Sequence, residues 1–225
     1  MITKRFSAAL LASSALALGA VACGEDTEQT SNSTPAQAEP AKVAAKPVAK
    51  IDQLSGRSTS VALDAGFVEA LGTLKLTPGP VGDARITEKG SAVFPITGGH
   101  VTYYKPGSVS PYVQGKIDHN GSGLSLESAD TKVELTDFVV DPGASVLTGT
   151  VSVDGKVAAE DAPLFFLDGR TLEPLEAKDN GTAVLQGTTV KLKAEAADLL
   201  NTTFKTDALE GGLVIGVARI VVNTA

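Results

Sequence analysis

The chain has 225 residues, of which 43% are hydrophobic, 20% charged and 4% aromatic, and its formal net charge is −7. Apolar content this high excludes a wholly disordered chain, and glycines without a period of three exclude a collagen. Nucleic-acid-binding proteins neutralise phosphates with clustered Lys and Arg. Because this chain is acidic and has no basic run, we expect no nucleic-acid partner.

Residues 1–22 have the architecture of an export signal. Lys4 and Arg5 precede an apolar stretch rich in Ala and Ser, which is long enough for a signal peptide but too weakly apolar for a membrane span. The stretch ends in Ala20-Val21-Ala22-Cys23 and resembles the lipobox of bacterial lipoproteins, although the lipobox has Leu where this chain has Ala20. Cys23 is the single cysteine of the chain.

The lipobox resemblance implies that Cys23 is diacylated, with acyl chains such as palmitate, and becomes the first residue of the mature protein. Two acyl chains are enough for stable attachment to a bilayer. We therefore predict a lipoprotein of the cell envelope, whose partner is a bacterial membrane reached through Cys23. The alternative is an ordinary secretory signal that contains a cysteine.

Residues 23–56 are predicted to be the acylated cysteine followed by a disordered tether. Residues 24–56 contain no aromatic side chain and no sustained apolar period, and Pro35, Pro40 and Pro47 oppose helix formation. The remaining residues, 57–225, are enough for one hydrophobic core. We expect them to form a single β-rich domain.

Alternation of apolar and polar residues dominates this domain and indicates half-buried strands. Residues 132–136 and Val146–Val153 alternate in this way. Asp154-Gly155 then indicates a type I′ hairpin, because both central positions of that turn need positive φ. The apolar run 213–222 favours a strand buried on both faces. Further short strands are predicted at 59–63, 83–87, 91–96, 100–104, 112–118, 123–127, 164–167 and 188–192.

Two segments have helical patterns. Asp64 can cap a short helix in which Phe67 and Leu71 lie one turn apart. Residues 194–204 predict a second helix with one apolar face formed by Ala197, Leu200 and Phe204. Turn signals at roughly 8–12-residue spacing favour a mainly β fold, an antiparallel sandwich or barrel-like domain with two short helices.

Catalytic signatures are missing from the sequence, which has no Gly-x-Ser-x-Gly elbow, no His-Glu-x-x-His helix and no phosphate-binding glycine motif. Asp141 and Asp168 lie in turns, where aspartate favours the turn geometry. The oxygen-rich turns at 118–121 and 179–181 lack the spacing of an EF-hand calcium loop. We expect no enzyme, no catalytic residue and no metal. The alternative is a carbohydrate-active enzyme with two carboxylates about 5–10 Å apart.

The stretch 98–126 contains both histidines and all three tyrosines of the chain. In an extended strand His100, Thr102 and Tyr104 share one face, and Tyr103 lies on the other. One interpretation is that the Tyr rings fill the core or its rim. The other is a pocket for a metal or a flat aromatic ligand. The candidate ligand-binding residues are His100, Tyr103, Tyr104, Tyr112 and His119.

The order of these elements resembles the haem-binding HtaA-domain family of bacterial surface proteins. In that family a short helix with Phe precedes a strand ending in Phe. A strand and turn of the type Gly-x-Val…His-x-Gly-x-Leu follow, and a later segment has the form Leu-Thr-x-x-Ala…Phe. The matching positions here are Phe67, Phe94, residues 115–121 with Leu124, residues 192–196, and Phe204.

The resemblance implies a shared fold over most of the domain, with haem bound through a Tyr and a nearby His. His119 is the one family position that carries over. The family's Tyr lies in the first helix, where this chain has Phe67-Val68-Glu69-Ala70, and the family's Trp-rich opening is absent. The fold can therefore be shared while haem binding is lost.

The sequence thus predicts a non-enzymatic, membrane-anchored lipoprotein with a β-rich domain that binds an unknown ligand or contacts an unknown surface or periplasmic partner. No cofactor is expected under this hypothesis. The alternative is a haem- or tetrapyrrole-binding surface lipoprotein, with His119 and one of Tyr103, Tyr104 or Tyr112 as ligands.

Overall fold

The structure is a computed structural model, and it describes residues 45–224. The signal peptide, Cys23 and most of the predicted tether lie outside these residues. The strands are β1 (Ala49–Ile51), β2 (Ser58–Leu63), β3 (Thr77–Gly82), β4 (Arg85–Ile86), β5 (Ser91–Pro95), β6 (Gly98–Tyr103), β7 (Val113–Glu127), β8 (Lys132–Asp141), β9 (Val146–Val153), β10 (Lys156–Asp168), β11 (Glu176–Lys178), β12 (Thr182–Leu192) and β13 (Val214–Asn223). The helices are α1 (Ala65–Thr73) and α2 (Ala194–Phe204), and a 3-10 turn occupies Gly169–Thr171.

These strands form one curled, half-barrel sheet, which confirms the predicted mainly β, antiparallel, barrel-like fold with two short helices. The strand order is β1-β6-β7-β8-β9-β10-β12-β13-β2-β5-β4, with β3 paired to β7 and β11 paired to β12. The named pairs are all antiparallel. The long strand β7 pairs with β6 through its first half and with β3 through its second, while β8 lies along its other edge.

The strongest local signals are confirmed. Asp154 and Gly155 have φ of 49° and 76° and join β9 to β10, as the hairpin signal requires. Helix α1 begins after Asp64, whose carboxylate accepts from the backbone N–H of Gly66 and Phe67. Helix α2 has the predicted bounds and packs Ala197 and Leu200 into the core.

Strand β13 corrects the prediction of a strand buried on both faces. Its side chains alternate, with Val217 45% exposed and the next residue, Ala218, 6% exposed. Helix α1 contacts this strand, but the outer face around Val217 remains open to solvent. An apolar run therefore forms a one-sided strand because valine and isoleucine also favour the pleated surface on its solvent side.

The start of the domain also differs from the predicted boundary at residue 57. Residues 49–51 form β1 and pair with β6, and Leu54 is 2% exposed in the hydrophobic core. The backbone N–H of Val48 donates to the carbonyl of Tyr103 at 2.8 Å. Three residues of strand have too short a pattern to stand out in a Pro- and Lys-containing segment, so alternation did not predict them.

Aromatic side chains concentrate in one part of the core. The ring centroids of Phe94 and Phe138 lie 5.2 Å apart in an edge-to-face arrangement, and those of Phe138 and Phe165 lie 6.4 Å apart. These three residues come from β5, β8 and β10.

Within residues 45–224, neither helix is long and apolar enough to cross a membrane.

Candidate functional site

The concave side of the curled sheet contains a cleft of about 750 Å³. Strands from both halves of the sheet contribute to it, so the cleft lies between them. Its wall is mainly aliphatic, as illustrated by Val61 of β2, Val101 of β6, Leu147 of β9, Leu185 of β12 and Ile220 of β13. Ligand sites of proteins usually have this character and a volume of about 300–1,000 Å³.

Alternation along each strand explains the apolar wall. In β13, Ala218, Ile220 and Val222 share one face and line the cleft, and Val61 of β2 pairs directly with Ala218. These side chains are small or medium in size. The cleft occupies the space beside them.

Two tyrosines lie together at one end of the cleft. The Tyr103 and Tyr112 rings are 5.9 Å apart and nearly perpendicular. The Tyr103 hydroxyl accepts from the backbone N–H of Leu175 at 3.5 Å. Burial raises the pKa of Tyr112 above its ordinary value, and the electrostatic effect of the neighbouring Tyr103 raises it further by a smaller amount. The Tyr112 phenol is therefore a neutral hydrogen-bonding group beside an apolar surface.

A charged cluster forms part of the rim. Asp168 accepts from Arg170 Nε at 2.9 Å and Nη2 at 2.6 Å, and from Lys191 Nζ at 2.8 Å. The Arg170 and Lys191 hydrogen bonds hold the pKa of Asp168 well below its ordinary value. All three residues line the cleft.

Strand register places this cluster at the rim. Lys191 pairs with Phe166, and Val190 pairs with Leu167. Leu167 and Val190 face the concave side, so Phe166 and Lys191 belong to the opposite face and reach the cleft only at its edge. Phe166 is 44% exposed there. The rim thus combines an exposed aromatic ring with a positively charged ammonium.

His119 lies behind the cleft wall. It is 1% exposed, and its Nδ1 is 2.8 Å from the carbonyl of Pro95, while its Nε2 is 3.1 Å from Thr59 Oγ1. Because the carbonyl can only accept, Nδ1 carries the proton and Nε2 accepts from the Thr59 hydroxyl. Thr59 lines the cleft, but His119 does not.

The structure therefore separates the five candidate ligand-binding residues. Tyr103 and Tyr112 line the cleft, whereas His119 supports its wall and has both ring nitrogens engaged. His100 is exposed, pairs with Lys116 in register, and does not line the cleft. Tyr104 follows the end of β6, where its backbone N–H donates to the carbonyl of Tyr112, and its side chain does not line the cleft.

Sequence reasoning missed the charged rim. The turn interpretation of Asp168 is correct, since its carboxylate accepts from the backbone N–H of Arg170 at the 3-10 turn. The same carboxylate also binds Arg170 and Lys191 side chains. Lys191 lies 23 positions away in the sequence, and only the pairing of β10 with β12 brings it close.

The alternatives that need metal or paired carboxylates gain no support in this part of the chain. Among residues 45–224 there is no cluster of three or more His, Cys, Asp or Glu side chains that could hold a metal ion. Among the residues lining the cleft, Asp168 is the one carboxylate. It stays ionised between two cations, which is the opposite of what a general acid needs.

The fold is similar to that of a solved bacterial domain. The crystal structure of the C-terminal domain of HtaA from Corynebacterium glutamicum matches with a TM-score of 0.52 and 11% sequence identity. The match covers 76% of this chain and 98% of that domain. It supports the fold that the sequence resemblance implies. No protein-family model matches the chain, and no curated protein matches its sequence.

The buried His119 predicts a pH-dependent stability. Burial lowers the pKa of His119 below its ordinary value of 6.5, so the unfolded chain binds this proton more readily than the folded one. The free energy of unfolding should therefore fall as pH drops from about 6.5 toward the lower folded pKa, by at most about 1.4 kcal/mol per pH unit. Denaturant unfolding between pH 8 and 5 measures this slope.

The histidine variants identify its source. His119→Gln should lose this part of the pH dependence, while His100→Gln, at the exposed histidine, should keep it. Parallel curves for the original chain and His119→Gln would contradict the assignment.

Proposed function

We propose that this chain is a lipoprotein of the bacterial cell envelope whose β-rich domain binds an apolar small molecule in the cleft. The observation that carries the proposal is the cleft itself, about 750 Å³ of space with a mainly aliphatic wall. Under this proposal the domain works by binding, and no residue has a catalytic role.

The physical basis is the exposure of apolar wall to water. Covering apolar surface is favourable by about 25 cal/mol per Å², so an apolar ligand that fits the curl gains free energy from most of its own surface and from the wall. The wall is part of a hydrogen-bonded sheet, so little ordering is required when a ligand binds. Tyr103 and Tyr112 supply hydroxyl groups that can fix the orientation of a ligand at one end.

A tetrapyrrole is the second candidate. Two observations favour it: the fold is similar to the HtaA domain, and two tyrosines line the cleft. The cleft suits the apolar ring system better than an iron ion, because His119 has both nitrogens engaged and the raised pKa of Tyr112 disfavours its phenolate. If haem binds, Tyr103 or Tyr112 would hold the iron, and the aliphatic wall would exclude water from the ring.

The envelope location rests on the sequence of residues 1–23. The lipobox-like Ala20-Val21-Ala22-Cys23 supports an acyl anchor on Cys23. The anchor would keep the cleft near a membrane, and the domain needs no lipid affinity of its own. A surface or periplasmic protein that delivers or receives the ligand fits this arrangement.

Filling the cleft should weaken the binding of an apolar probe. Ala218→Phe places a ring on the concave face, and it should weaken binding of the neutral dye Nile red by about tenfold or more, measured by fluorescence titration. Val217→Phe is the matched control, because the neighbouring side chain lies on the outer face. Ala183→Leu, also in the cleft, repeats the test if Ala218→Phe is unstable. Unchanged affinity in both cleft variants would contradict the proposal.

The tetrapyrrole candidate predicts a saturable shift of the haemin absorption band on titration into the full chain. Tyr112→Phe or Tyr103→Phe should weaken that shift, because each removes a phenol oxygen that can bind iron. Tyr104→Phe, outside the cleft, should leave it unchanged. A flat titration, or equal shifts in all three variants, would remove this candidate.

Acylation of Cys23 predicts that the chain, expressed in a bacterium supplied with an alkyne analogue of palmitate, is labelled and found with the membranes. Cys23→Ser should be unlabelled and released into the soluble fraction, because serine lacks the acylated thiol. Gly24→Ser is the matched control and should remain labelled. Label retained in Cys23→Ser would count against the anchor.

A further inference from the structure

The charges at the cleft have the opposite sign to those of the chain as a whole. The chain carries 26 acidic and 19 basic side chains, for a net charge of −7. The cleft lining instead has three cationic residues and one carboxylate, namely Lys50, Arg170, Lys191 and Asp168. Lys50 forms an ion pair with Asp52, so the excess positive charge comes from Arg170 and Lys191 around Asp168. A local excess of positive charge in an acidic protein attracts an anion to this place.

The geometry of the rim cluster leaves donors free for that anion. Asp168 is shared by two cations, so the three groups together keep one positive charge. A lysine ammonium has three N–H donors. Among the hydrogen bonds of residues 45–224, Lys191 Nζ makes one, to Asp168, which leaves two donors for a ligand. Asp168 is mostly buried and fixes the position of both cations.

The surroundings of Lys191 determine what kind of anion fits. Phe166 lies beside it in register and is apolar, and the concave wall beyond the rim is aliphatic. A small inorganic anion would leave this apolar surface uncovered. An anionic group joined to an apolar body would cover the wall and reach the ammonium at the same time.

We infer that the ligand is a long-chain carboxylic acid, whose alkyl body lies on the concave face and whose carboxylate binds Lys191 and Arg170 at the rim. This inference rests on the proposed binding function and names its ligand class. An alkyl chain suits a wall made of Val, Leu, Ile and Ala side chains, which offers few aromatic faces for stacking. A carboxylate can accept charge-assisted hydrogen bonds from both free N–H groups of Lys191.

The test compares cis-parinaric acid, a fluorescent 18-carbon fatty acid, with its neutral methyl ester on the full chain. The acid should bind about tenfold more tightly than the ester, as expected for one charge-assisted contact at a partly exposed site. Lys191→Met should weaken the binding of the acid about tenfold and leave the binding of the ester unchanged. The substitution removes the ammonium charge but keeps an unbranched apolar side chain. Lys191→Arg should retain the preference for the acid.

Lys132→Met is the matched control, since Lys132 pairs with Glu134 and does not line the cleft. It should bind both probes like the original chain. Equal affinity for acid and ester, with Nile red still bound, overturns the carboxylate inference and leaves the cleft as an apolar site. If Nile red, acid and ester all fail to bind, the proposed function itself fails.

A further arm distinguishes the two sources of a carboxylate on an apolar body. Protoporphyrin IX and its dimethyl ester are titrated into the same variants. Preference for cis-parinaric acid over protoporphyrin, with sensitivity to Lys191→Met, supports the long-chain acid. The reverse preference overturns the alkyl assignment and transfers the carboxylate contact to a tetrapyrrole.

Discussion

A curled antiparallel sheet must fill its concave side with side chains, and this chain supplies mainly aliphatic ones there. The half-barrel has strands on both sides of the curl, and its concave positions include small residues such as Val61, Ala183 and Ala218 on three neighbouring strands. With no Trp and 4% aromatic residues, the chain has few bulky side chains that could fill that space. Interiors normally pack as densely as organic crystals, so an apolar cleft of about 750 Å³ on the concave side is a clear departure from that packing.

Three phenylalanines and the buried histidine pack behind the cleft wall and hold it in place. Phe94, Phe138 and Phe165 pack edge to face in the core, and the His119 ring contacts Phe94 at 6.3 Å. His119 also joins β7 to β5 through the Pro95 carbonyl and to β2 through the Thr59 hydroxyl. Since the Thr59 proton is directed to His119, this polar residue adds little polarity to the cleft it lines. The histidine that the family resemblance singles out is therefore a structural element of the site.

Local chemistry in the sequence predicted local structure well, as Asp64 and the Asp154-Gly155 turn illustrate. Longer strands were underestimated: β12 covers Thr182–Leu192, although its interior Gln186-Gly187-Thr188 interrupts the alternation with a bulge. Strand β3 contains Pro78 and Pro80 and was not predicted, because proline fits a strand only at an edge such as this one. The position and shape of the cleft could not be predicted from the sequence. Its two tyrosines stood out by composition, but its wall and charged rim exist only through pairing between distant strands.

Strand β1 makes residues upstream of residue 57 part of the folded domain. It covers the outer edge of β6, contributes Ala49 and Ile51 to the cleft wall, and leads into the buried Leu54. A shortened chain that begins at residue 57 would lack this part of the cleft wall and would leave the outer edge of β6 without its strand partner, while the other edge would still pair with β7. An open strand edge pairs readily with another copy of the same edge. Truncation at the boundary suggested by composition would thus expose an edge that favours association between copies of the shortened chain.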